Sequence, residues 1–111
     1  MTLLATKLKN RILKDGNYVV ELKNIIINGR KVGCSGFISN PKNNTVVYIN
    51  TEKSVYQPLA DRNLIRYALN NKDYTGLHNN FVTDDRLVSE IVAMLTDKER
   101  YESSKGLPFL V

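Results

Sequence analysis

Apolar residues recur along this chain at helical spacing in some stretches and at strand spacing in others, and each stretch predicts an element. Leu4, Ala5, Leu8 and Ile12 share one side of a helical wheel, with Lys7, Arg11 and Lys14 together beside it. That spacing predicts an amphipathic helix from about Leu3 to Lys14, closed by Asp15-Gly16-Asn17. The run from Tyr18 to Ile27 is rich in β-branched and aromatic residues and meets Asn28-Gly29, a strong hairpin signal, so two antiparallel strands are expected. Its apolar set changes parity around Asn24, from Tyr18, Val20 and Leu22 to Ile25 and Ile27, and a bulge there would keep both sets inward. On the second strand Val32, Cys34, Gly36 and Ile38 share a face. The turn cluster Asn40-Pro41-Lys42-Asn43-Asn44 then leads into a third strand, Thr45 to Asn50.

After Pro58 the spacing reads as helical again. Ala60, Leu64, Ile65, Ala68 and Leu69 line one side of a helix running to about Asn70, and Arg62, Asn63, Arg66 and Asn70 line the other. A polar loop, Asn71 to Val82, precedes Thr83, a good N-cap, and Asp84 and Asp85 follow it where the helix dipole favours negative charge. A last helix from Asp84 to about Glu102 buries Leu87, Val88, Ile91, Met94 and Leu95. The expected fold is α+β: an N-terminal helix, a three-stranded antiparallel meander and two C-terminal helices. At 111 residues the chain reads as a single domain.

Composition narrows the class. With 42% hydrophobic and 24% charged residues the chain reads as globular, and no segment approaches the roughly 20 apolar residues of a membrane span. The start of the chain is the reverse of a secretion signal and Cys34 is the only cysteine, so a reducing cytosol is expected, with neither a disulfide nor a common zinc spacing available. His78 is the only histidine, and no Gly-rich phosphate loop or nucleophile-base pair is present. Glu52 and Lys53 are the nearest approach to a carboxylate-lysine nuclease site, but adjacent residues on an extended segment point to opposite faces. No catalytic residue, metal site or cofactor is assigned.

Charge changes the picture most. The first 66 residues carry eleven Lys and Arg against four acids, net +7, and the last 45 carry five against seven, net −2, which sums to +5. Basic clusters bind phosphate backbones because each contact releases condensed counterions. The candidate nucleic-acid-binding residues are therefore Lys7, Arg11 and Lys14 on the first helix, Arg30 and Lys31 at the hairpin, and Arg62 and Arg66 one turn apart on the expected helix. Tyr74 and His78 join them, since a loop with stacking side chains and the amides of Asn79 and Asn80 suits single-stranded RNA. The alternative for the basic residues is a solvated surface, and for the loop a set of aromatic pins to the core. The tail 106–111 ends Leu107-Pro108-Phe109-Leu110-Val111 and is expected to be extended, docked either on its own core or in a neighbouring subunit of a homo-oligomer.

The order helix, three antiparallel strands, helix resembles the double-stranded-RNA-binding domain over roughly the first 100 residues. That family places lysines at the start of its last helix, where this chain has Asp84 and Asp85, so its RNA contacts do not carry over. In size, in its thirteen Asn and ten Lys against six Arg, and in lacking enzyme motifs, the chain also resembles small accessory proteins of phages of low-GC Gram-positive bacteria, a group that includes anti-CRISPR proteins. The function expected on this basis is that of a cytoplasmic RNA-binding accessory protein that inhibits a host RNA-guided nuclease. The alternative is an inhibitor whose basic face docks an acidic protein surface without nucleic acid.

Overall fold

A computed structural model describes residues 18–52, 62–74 and 79–104. Five strands form one sheet in sequence order: β1 (Val19–Ile27), β2 (Arg30–Asn40), β3 (Thr45–Asn50), β4 (Arg62–Ala68) and β5 (Asn80–Thr83). Every neighbouring pair is antiparallel. Two helices follow, α1 (Asp84–Thr96) and α2 (Lys98–Ser104).

This corrects the expected fold class. The sheet has five strands rather than three; the stretch read as a helix running to Asn70 is β4, and the loop read from Asn71 to Val82 contains β5. The physical reason lies in Asn63 and Arg66, which are 1% and 3% exposed. They were the polar side of the expected helix, yet in the sheet they are buried, as are Leu64 and Ile65 on the two faces of the same strand. A strand covered on both faces loses its polar-apolar alternation. The amide of Asn63 is satisfied there by donating to the Val82 carbonyl at 3.1 Å and to Asp84 Oδ1 at 2.8 Å. The likeness to the double-stranded-RNA-binding domain goes with the helix, because two further strands stand between β3 and α1. The expected N-terminal helix and the apolar tail lie outside the described residues.

Two clusters of side chains flank the sheet. Ile38, Val47, Ile49, Ile65 and Val82 meet Leu87, Ile91, Met94, Leu95 and Tyr101 of the helices in the larger one. On the opposite face Phe37, Tyr48 and Leu64 are buried, with Val46, Ala68 and Phe81 against them.

The helical end of the chain is tied to the sheet by its own carbonyls. A helix leaves its last C=O groups without internal partners. Here Asn40 and Asn43 from the β2–β3 turn both donate to the Leu95 carbonyl, at 2.8 and 3.0 Å, and the Tyr67 hydroxyl donates to that of Met94 at 2.9 Å. The single last helix expected to Glu102 is instead broken at Asp97, whose carboxylate accepts from the Arg100 N–H at 3.1 Å and so caps α2. Thr83 does hold the N-cap position of α1 in extended conformation, with Asp84 and Asp85 in the first turn.

Candidate nucleic-acid interface

The hairpin of β1 and β2 has the turn expected of Asn-Gly: Asn28 and Gly29 have φ of 52° and 75°, the paired positive values of a type I′ turn. Its bulge lies on the other strand. Ile25 pairs with Gly33 and Ile26 with Lys31, so the extra residue is Val32 in β2 rather than one near Asn24 in β1. Nor does Ile27 turn inward, although Ile25 is half-buried. Ile26 is 58% and Ile27 45% exposed, because β3 pairs with β2 only from Ser35 to Asn40 and leaves the hairpin end without a neighbouring strand.

At that end each face carries one apolar and one cationic side chain. Ile26 is paired with Lys31 and Ile27 with Arg30, and cross-strand partners point to the same side of a sheet. Lys23 stands further down β1, opposite Ser35. All three cations are exposed, and no acidic residue occurs from Leu22 to Thr51. The ion pairs among the described residues join Arg66 to Asp73 and Arg86 to Glu90, so the hairpin cations enter neither.

The other candidate residues are placed differently. Arg66 is buried on the sheet face opposite the helices. Its Nη2 donates to the Asp73 carbonyl at 2.7 Å, its Nη1 lies 3.9 Å from Asp73 Oδ2, and its guanidinium sits 4.5 Å from the Tyr48 ring centroid. Such a group is held by protein atoms and is not presented to phosphate. Arg62 opens β4 opposite Thr83, at the end of the sheet from which the hairpin projects and two strands across from β2. Tyr74 is 68% exposed and leans edge-on against Phe37 and Tyr48, with centroids 5.1 and 5.9 Å away, so Arg66 and Tyr74 meet around one buried ring. Lys7, Arg11, Lys14 and His78 lie outside the described residues. Glu52 is buried, and Lys53, its expected neighbour in a nuclease site, lies outside the described residues.

Three residues of the hairpin end, Lys23, Ile26 and Ile27, are absent from the sequence-derived set. A bulge near Asn24 would turn Ile27 inward with Ile25, and that parity gives Ile26 no role. The signal that could have found Ile26 and Ile27 is the mismatch between an eleven-residue β2 and a six-residue β3.

No family model matches the chain, and no curated protein or solved structure matches it either. Among the described residues no cluster of His, Cys, Asp and Glu could hold a metal ion, and no helix is long and apolar enough to cross a membrane.

Proposed function

We propose that this protein binds nucleic acid, with the end of the β1–β2 hairpin as its contact. One observation carries the reading: Lys23, Arg30 and Lys31 are exposed on the part of the hairpin from Leu22 to Asn40, which carries no acid. Three neutralised phosphates contribute a logarithmic salt slope of about −2.7 on duplex DNA and about −2 on a single strand. On a duplex that term changes affinity about 40-fold between 50 and 200 mM salt. Of the stacking side chains described, Tyr74 is exposed, whereas Phe81 is half-buried against the cluster of Phe37, Tyr48 and Leu64, which weakens the argument for single-stranded RNA.

The test is fluorescence anisotropy against salt for the wild type and for Lys23→Ala/Arg30→Ala/Lys31→Ala. The variant should keep its melting temperature within a few degrees, because these side chains are exposed, and lose about 2.7 from the duplex slope. An unchanged slope would remove the hairpin from the interface. Failure of the wild type to bind any nucleic acid at 50 mM salt would overturn the proposal and leave docking on an acidic protein as the alternative.

A further inference from the structure

We infer that the hairpin end is built to enter the major groove of B-form DNA, with Ile26 and Ile27 as apolar readers flanked by Lys31 and Arg30. The inference rests on the nucleic-acid reading above and adds the form of the nucleic acid and the way it is held. Apolar and cationic side chains side by side at a hairpin tip match a groove that offers apolar base edges between two phosphate walls. Here each face of the ribbon carries one of each, Ile26 with Lys31 and Ile27 with Arg30.

Dimensions decide between grooves. From the Ile25–Gly33 pair to the Asn28-Gly29 turn the strands run two residues and then the turn, which at about 3.3 Å per residue is a projection of roughly 10 Å. The major groove of B-DNA is about 8.5 Å deep and 12 Å wide and admits a two-stranded ribbon, whose strands lie about 4.8 Å apart. The B-form minor groove, about 6 Å wide, does not admit the ribbon with side chains on both faces, and the A-form major groove of RNA is too deep and narrow for side chains to read. Inside the major groove the apolar feature on offer is the thymine methyl, which aliphatic side chains contact. The cations at the same two cross-strand positions then reach toward the phosphates on either wall.

The probes are 24-base-pair alternating AT and AU deoxyribonucleotide duplexes, identical in charge and differing only in the 5-methyl groups. An RNA duplex of the same AU sequence and a single strand accompany them. Wild type should bind the AT duplex about threefold to fourfold more tightly than the AU duplex for each methyl contacted, and more tightly than RNA or single strand. Ile26→Ser/Ile27→Ser should bind both DNA duplexes equally while keeping the wild-type salt slope. Equal binding of AT and AU duplexes by wild type, or tighter binding to RNA or to the single strand, would overturn groove entry while leaving nucleic-acid binding in place. Absence of binding to every probe would overturn both readings. The methyl comparison uses the unaltered protein, so it holds whatever the serine variant does to folding.

Discussion

Arg66→Ala should unfold the protein more easily and leave the proposed nucleic-acid binding untouched. Arg66 is 3% exposed, and four contacts hold it. They are the 2.7 Å bond to the Asp73 carbonyl, a long 3.4 Å bond to that of Tyr67, the 3.9 Å approach to the Asp73 carboxylate and the Tyr48 ring face at 4.5 Å. A hydrogen bond from a charged donor is worth about 1.5–3 kcal/mol and a desolvated cation–π contact about 1–2 kcal/mol. Removing the residue also removes the cost of keeping a charge out of water, which offsets part of that sum. The expected net loss is about 2–4 kcal/mol. At roughly 4 °C per kcal/mol for a chain this size, the melting temperature should fall by about 8–16 °C. Urea unfolding followed by circular dichroism gives the free energy directly, and Arg66→Met, which keeps the aliphatic stem, separates lost packing from lost polar contacts. A loss below about 0.5 kcal/mol for Arg66→Ala would refute the burial argument. A changed salt slope, measured well below the melting point, would return Arg66 to the interface.

Gly36→Ala should be among the most damaging single changes: Gly36 has φ of 150° and an added Cβ would lie 1.9 Å from the Glu21 carbonyl oxygen, so a loss above about 3 kcal/mol is expected in urea unfolding, and a loss under 1 would refute it. Gly29→Ala, at φ 75° with nothing within 4 Å, should cost only about 1 kcal/mol by the same measurement. Asn40→Ala should cost about 1–3 kcal/mol and Asn43→Ala less, since both donate to the Leu95 carbonyl but only Asn40 is buried; equal losses would show that burial does not set the difference. Tyr101 is held protonated well above its ordinary pKa, chiefly by burial and then by the charge of Glu90, so the unfolded chain loses this proton first and stability should fall as pH rises above about 10. Urea unfolding between pH 8 and 11 should show that decline in wild type and a flatter profile in Tyr101→Phe; parallel profiles would refute the assignment.

Legibility in the sequence followed the environment of each strand. β1, β2 and β3 were visible because Asn28-Gly29 and Asn40-Pro41 punctuate them, and their observed bounds of Val19–Ile27, Arg30–Asn40 and Thr45–Asn50 stay close to those signals. β4 was hidden by Asn63 and Arg66, whose polarity suggested water where the structure has Val82, Asp84, Asp73 and Tyr48 as partners. β5 is four residues, Asn80–Thr83, too short for alternation to register beside so many polar neighbours. Of the candidate site, Arg30 and Lys31 were legible from charge alone. Ile26 and Ile27 were not, because exposure at a hairpin end depends on where the next strand stops, and β3 stops at Asn50.

The charge split along the chain becomes a split across the sheet. The basic residues Arg30 and Lys31 lie on β2, while Asp84 and Asp85 begin α1 directly after β5, at the opposite edge and three strands away in the order β1-β2-β3-β4-β5. At about 4.8 Å per strand that is roughly 14 Å, longer than the screening length of about 8 Å at physiological salt. The acids therefore do little to neutralise the hairpin, and at closer range they repel a phosphate backbone that approaches from the β5 side. On the nucleic-acid reading proposed above, a polyanion would be oriented toward the β1–β2 corner before contact, which affects association rate more than final affinity. Asp84→Asn would be a poor probe of this, since Asp84 also accepts from Asn63, whereas Asp85 is exposed and its neutralisation removes, besides the field, only a first-turn helix-dipole contribution of about 0.3–1 kcal/mol.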